Sequence, residues 1–140
     1  MGNSVATGDR VPIELKLCLE SWVSQSQIPN GDLSAFYADS VDYYRVTGMQ
    51  KSKLLADKAR FWKSHNKLDL RIENSSFSFG PGEQWTCEYD KHFDATMAGS
   101  DEHYSGHVRS RLIFQKVGDT WIITTEKDDK VYSSNSGSQR

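Results

Sequence analysis

Phe36-Tyr37-Ala38-Asp39-Ser40-Val41-Asp42-Tyr43-Tyr44 is the stretch that decides the fold. It passes from the end of a helix straight into a strand. Val41 to Val46 alternates and is rich in aromatic and β-branched side chains, the pattern of a half-buried strand. Just upstream, Pro29-Asn30-Gly31 turns the chain, and Asp32 is placed to cap a short helix through Tyr37 by accepting an orphan backbone N–H. Just downstream, Gly48 is expected to break the strand. Ser52 is then placed to cap a further helix that carries Leu54, Leu55, Ala59 and Trp62 inward and leaves Lys51, Lys53, Lys58 and Lys63 largely outside.

Working outward, Pro12 suits the first position of an opening helix that runs to about Gln25. Leu15, Cys18, Leu19 and Trp22 fall at i, i+3, i+4 and i+7 and make its apolar face. The C-terminal half reads as strands. Leu68, Leu70 and Ile72 share one parity and Phe77 and Phe79 the other, so a β-bulge near Asn74-Ser75 is predicted to bend the sheet. After a Gly80-Pro81-Gly82 turn, Trp85, Cys87, Tyr89, Phe93, Ala95 and Met97 alternate with polar residues in one long strand. Gly99-Ser100-Asp101-Glu102 leads into a return strand with Tyr104, Val108, Leu112 and Phe114 on one face. Gly118-Asp119 turns into a last strand, Trp121 to Val131. Helices first and strands after indicate an α+β class: a curved, mainly antiparallel sheet wrapped around two to three N-terminal helices. The domain is predicted over residues 11–132, between polar segments 1–10 and 133–140 that are expected to be disordered.

A chain of 140 residues makes one domain that can bury a core without staples. A net charge of −2 and the lack of any Lys/Arg run leave no basic face for nucleic acid. No apolar stretch approaches the ~20 residues of a spanning helix, so no membrane partner is expected. Met1-Gly2-Asn3-Ser4 lacks the basic-then-apolar pattern of a signal peptide, and the compartment stays open. Cys18 and Cys87 are expected to be buried free thiols, with a single disulfide as the lesser alternative, and lie outside any Cys-x-x-Cys spacing. The spacings of a dinucleotide fingerprint, a P-loop and a Gly-x-Ser-x-Gly elbow are absent, and no cofactor is implied.

The chain resembles the nuclear transport factor 2-like superfamily, also described as SnoaL-like or ketosteroid isomerase-like. The matching pieces are Gly31-Asp32-Leu33, Tyr37-Ala38-Asp39 leading into Val41-Asp42-Tyr43-Tyr44, and the Leu54–Trp62 helix. Tyr104-Ser105-Gly106, Leu112-Ile113-Phe114-Gln115-Lys116 and Gly118-Asp119-Thr120-Trp121-Ile122-Ile123 continue the match. The resemblance implies a cone-shaped α+β fold with a pocket and is nearest to accessory domains of bacterial multidomain proteins. It carries no catalytic set across. Counted on without a gap from Tyr37-Ala38-Asp39, the general-base position of ketosteroid isomerases falls on Arg45, which stays protonated. Their first-helix tyrosine falls on Ser24, and a one-residue gap moves the base position to Tyr44, which is no carboxylate either.

Three catalytic candidates come from the residues themselves: Asp42, His92 and Asp94. With the hairpin centred on Ser100-Asp101, Asp94 faces His107, His92 faces Arg109 and Asp90 faces Arg111. That face reads as a cross-strand charge ladder, as a zinc or iron site of His92, Asp94 and His107 opposed by the neighbouring Arg109, or as a His92/Asp94 acid–base pair. The ladder is the ordinary explanation, and no metal is expected. Tyr43, Trp62, Trp85, Tyr89, Lys91, Phe93, Leu112 and Phe114 are the candidate pocket residues, though aromatic residues at strand and helix spacing are more often plain core. Lys91, alone on an apolar face, is read as an edge lysine or as a pocket contact beside Asp42 or Tyr43. Two functions follow as expectations. One is a non-catalytic binding or assembly domain for a small apolar ligand or a peptide, homodimeric through its sheet. The other is a small cofactor-independent isomerase, dehydratase or polyketide cyclase using Asp42 or His92/Asp94 with Tyr43 or Tyr89 as donor. A carboxylate or imidazole facing a tyrosine hydroxyl inside the cavity would favour the second.

Overall fold

The computed structural model describes residues 11–136; the expectations for segments 1–10 and 137–140 fall outside them. Helix α1 (Ile13–Ser26) is followed by a single 3-10 turn (Ser34–Phe36), strands β1 (Tyr37–Tyr43) and β2 (Val46–Gln50), and helix α2 (Lys51–Ser64). Four long strands complete the described residues: β3 (His65–Gly80), β4 (Gln84–Met97), β5 (His103–Val117) and β6 (Thr120–Ser136). All six strands form one sheet in the order β2-β1-β6-β5-β4-β3, antiparallel except for the β1–β6 pair. The fold is α+β, as the segregated pattern requires. No helix among the described residues is long and apolar enough to cross a membrane.

The opening stretch enters the sheet earlier than its alternation suggests. Asp32 Oδ1 accepts from the backbone N–H of Ser34 at 3.0 Å and from its hydroxyl at 2.7 Å, which closes one turn rather than a helix. Tyr37 already pairs with Ile123 across β1–β6. The strand does not run on to Val46: Tyr44 has φ of 54°, the left-handed region, and turns the chain back into β2. Gly48 lies inside β2 rather than ending a strand, and its N–H donates to Asp42 Oδ1 at 3.0 Å across the hairpin. Helix α2 begins at Lys51 with no side-chain cap, so Ser52 does not cap it, and Ala59 is exposed rather than inward.

The core lies between the helices and the concave side of the sheet. Leu15, Leu19 and Trp22 of α1 and Leu54 of α2 are buried against Tyr37, Val41, Cys87, Tyr89, Leu112, Phe114 and Ile123. The bulge expected near Asn74-Ser75 is present: the β3–β4 register shifts between Glu73 and Ser76, and Asn74 has φ of 53°. The β4–β5 hairpin is two residues tighter than a Ser100-Asp101 centre predicts. Asp94 pairs with Ser105, His92 with His107 and Asp90 with Arg109. A shift of two keeps every side chain on its face, because strand periodicity is two. Strand β6 continues to Ser136, past both Val131 and the expected domain limit at 132, and Ser133 pairs with His107. Both cysteines are free thiols; Cys87 is buried and Cys18 partly so, with burial pushing the Cys87 thiol up to about 12.

Gly106 permits a close approach within the sheet. It pairs with Phe93, and a Cβ built there would sit 2.3 Å from the end of the Phe93 ring. Gly106→Ala is therefore expected to push Phe93 off its rotamer and destabilise the fold by about 1–3 kcal/mol in chemical denaturation. An unchanged midpoint would show that the ring moves freely.

Candidate functional site

A cavity of about 370 Å³ opens between the two helices and the concave face of the sheet. Tyr43, Tyr44, Phe61, Trp62, Leu68 and Phe93 give it apolar, largely aromatic walls. Lys58 of α2, Lys91 of β4 and Glu126 and Asp128 of β6 add charge. Ser26 Oγ, also on the wall, is buried with no hydrogen-bond partner in the protein, which leaves it for an occupant.

Glu126 is the centre of the charged group. It is 4% exposed, and three side chains donate to its carboxylate. Tyr37 OH lies 2.6 Å from Oε1, while Tyr44 OH at 3.2 Å and Lys58 Nζ at 3.0 Å share Oε2. Trp22 Nε1 donates to Tyr37 OH at 2.9 Å and fixes that phenol from behind. The Lys58 ammonium also sits 5.4–5.9 Å from the ring centroids of Tyr43, Tyr37 and Trp22, within cation–π range. Burial pushes the Glu126 carboxyl up. The charge of Lys58, the Tyr37 hydrogen bond and the charge of Lys91 outweigh it and hold the group below the ordinary glutamate value. Glu126 is therefore ionised at neutral pH. The surrounding phenols Tyr37, Tyr43 and Tyr44 move the other way, by burial first and then by the carboxylates beside them, and stay protonated donors.

A second ion pair continues the network. Lys91 Nζ lies 3.0 Å from Asp128 Oδ1, donates to Tyr44 OH at 3.3 Å, and is backed by Ser110, whose hydroxyl donates to Asp128 at 2.6 Å. Tyr44 thus joins the two pairs from a backbone conformation that bulky residues rarely adopt, and its N–H is tied to the Glu126 carbonyl at 2.8 Å. Tyr44 as a whole is 37% exposed, while its hydroxyl reaches the buried carboxylate. Tyr43 OH donates separately to Asp57 at 3.1 Å.

Of the residues singled out from sequence, Tyr43, Trp62, Lys91 and Phe93 line this cavity. Trp85, Tyr89, Leu112 and Phe114 are buried in the packed core instead. Lys91 meets Tyr44 and Asp128, not Asp42 or Tyr43. Asp42 fastens the β1–β2 hairpin and does not line the cavity. His92 and Asp94 lie on the other face of β4. There His92 stacks on His107 at 4.1 Å and pairs with Glu73 at 3.1 Å, while Asp94 is 3.5 Å from His103. Arg109 pairs with Asp90 and Arg111 with Asp129, so this face carries a ladder of ion pairs. Among the described residues no group of three or more His, Cys, Asp or Glu side chains is arranged to hold a metal ion.

Glu126, Asp128 and Lys58 were not among the sequence candidates. The β5–β6 register shifts between Ile113 and Phe114, so Ile123 pairs with Phe114 but Glu126 pairs with Leu112. One extra residue in β6 turns the inward parity from odd to even and brings Glu126 and Asp128 to the concave side. Lys58 sits one helical turn after the buried Leu54 and one before Trp62, a spacing that already places it on the inner face.

No family model and no curated protein matches the sequence. Solved structures do match in three dimensions. A protein from Novosphingobium aromaticivorans, a proposed scytalone dehydratase, superposes with a TM-score of 0.78 at 6% identity over 90% of this chain and 87% of that one. A nuclear transport factor 2-like superfamily protein from Salmonella enterica serovar Typhimurium gives 0.72 at 14% identity over 91% and 96%. The chain has the nuclear transport factor 2-like fold. A hexachlorocyclohexane dehydrochlorinase, LinA-type3 from Novosphingobium barchaimii, shares it at a TM-score of 0.68 and 8% identity over 91% and 93%.

Proposed function

We propose that this protein is a small cofactor-independent enzyme of the isomerase or dehydratase kind, which takes a proton from carbon beside a carbonyl of a small, largely apolar substrate. One observation carries the reading: an ionised carboxylate, Glu126, is held against a phenol and an ammonium on the wall of an aromatic cavity. Glu126 is the proton acceptor. Tyr37, locked by Trp22, keeps Oε1 in place, and Tyr44 and Lys58 are the donors that the substrate oxygen recruits. As negative charge grows on that oxygen, their hydrogen bonds move from Oε2 to it. The same movement stabilises the enolate and strengthens Glu126 as a base, because the donors that depress its pKa are leaving. The fold neighbours named as a dehydratase and a dehydrochlorinase agree with elimination chemistry in such a cavity.

A second reading, a non-catalytic domain that binds a small apolar ligand or a peptide, draws on the resting geometry. Three donors already satisfy Glu126, as they would a purely structural charge. Deuterium exchange separates the two. Aryl ketones and hydroxy ketones incubated in D2O are expected to take up deuterium beside the carbonyl faster with the protein than with heat-denatured protein, followed by proton NMR. Uptake at the buffer rate throughout the panel would leave only the binding reading.

A further inference from the structure

Tyr104 lines the same cavity at some distance from Glu126. Along the β4–β5 ladder Lys91 pairs with Val108 and Ala95 with Tyr104, four residues or about 13 Å of strand apart. The Tyr104 hydroxyl lies 3.0 Å from His65 Nε2, the first residue of β3. His65 stacks flat on Phe61 with ring centroids 3.9 Å apart, and its Nδ1 is 2.8 Å from the Phe61 backbone oxygen. A carbonyl oxygen can only accept, so Nδ1 carries the proton. Ser64 Oγ, 3.0 Å from Nδ1, donates instead to the same carbonyl at 3.4 Å. In the neutral imidazole Nε2 is then the acceptor, and the Tyr104 O–H must point at it. Burial pushes the Tyr104 phenol above its ordinary value, so the proton stays on oxygen.

A free tyrosine in a pocket both donates and accepts. Here His65 takes the donor, and only lone pairs of the oxygen remain for an occupant. We infer that Tyr104 is a specificity residue that accepts a hydrogen bond from a ligand hydroxyl, and that the ligands of this cavity carry a phenolic or alcoholic group at the end remote from Glu126. His65 is its positioning residue. The inference rests on the cavity being the substrate site, and it concerns recognition rather than proton removal.

The test uses binding, so it stands apart from turnover. Fluorescence titration of the full chain with 2-naphthol and 2-methoxynaphthalene compares a hydroxyl with its ether on one apolar body. Naphthol is expected to bind about ten-fold more tightly, the worth of one hydrogen bond in a desolvated site. Tyr104→Phe is expected to abolish that preference while leaving the affinity for the ether unchanged. Long-range proton–nitrogen NMR of the wild type is expected to report His65 as the Nδ1–H tautomer. Equal affinities in the wild type, a preference that survives in Tyr104→Phe, no binding of either probe, or an Nε2–H tautomer would each overturn the inference. Absent deuterium uptake beside an intact naphthol preference would remove the enzymatic reading alone.

Discussion

Lys58→Met is expected to destabilise the protein by about 3–5 kcal/mol at pH 7, the cost of leaving a buried carboxylate without its ion-pair partner. Lys58 Nζ is 3.0 Å from Glu126 Oε2, and the two side chains are only 21% and 5% exposed. Tyr37 and Tyr44 would still donate, and Lys91 would still contribute its field, so the loss should fall toward the lower end. The pH dependence identifies the cause. In the wild type Glu126 is held below the ordinary glutamate value, so the folded state binds fewer protons than the unfolded state. Its contribution is complete above the unfolded value of about 4.3 and is lost as pH falls through the lower folded value. With Lys58 gone, burial dominates and the sign reverses: the carboxyl rises above its unfolded value, and the variant recovers stability as the pH is lowered and Glu126 takes a proton. Urea midpoints of wild type and variant between pH 4 and 8 should therefore converge on the acid side. A constant gap would trace the loss to the packed lysine stem over Trp22, Tyr37 and Tyr43 instead of to charge. Adding Glu126→Gln to Lys58→Met should restore part of the stability, since no charge is then stranded.

The fold was legible in the sequence because its signals are local and periodic. The i, i+3, i+4, i+7 face of α1 and the alternation of β4 each report a burial pattern that the folded chain keeps, and the parity switch at Asn74-Ser75 marks the bulge although Phe79 beyond it is exposed. What failed to read was wherever one residue changes the phase. Tyr44 looks like a strand residue but turns the chain, because its side chain and N–H are tied to Glu126 from the far end of the sequence. Glu126 sits in a charged run, Glu126-Lys127-Asp128-Asp129-Lys130, that resembles a solvated face. Only the bulge in β6 sends Glu126 and Asp128 inward while Lys127 stays on the other side. The polar strand residues Asp90, His92 and Asp94 show the opposite case: they alternate cleanly, and clean alternation with the core residues is what places them on the outer face. Tyr44 and Glu126, which both depart from the local pattern, meet at the cavity, and departures of this kind concentrate at strained or functional positions.

Glu126→Gln is expected to slow proton removal by about 10²–10⁴-fold, the usual worth of a positioned general base. Glutamine keeps the shape of the side chain and one acceptor oxygen for Tyr37, but it cannot take a proton from carbon. The loss should appear in kcat with KM little changed, since the carboxylate acts on the proton in flight and not on the resting substrate. Tyr44→Phe should act on the same step and by less, because Lys58 remains to meet the developing oxyanion. The two effects should also fail to add, as both residues belong to one hydrogen-bonded group. Deuterium uptake measured on the wild type, each single variant and the double variant checks all three statements at once. If Glu126→Gln keeps a rate within about three-fold of the wild type, well below the effect of losing a general base, the carboxylate is a structural charge. The cavity would then hold its ligands without transforming them.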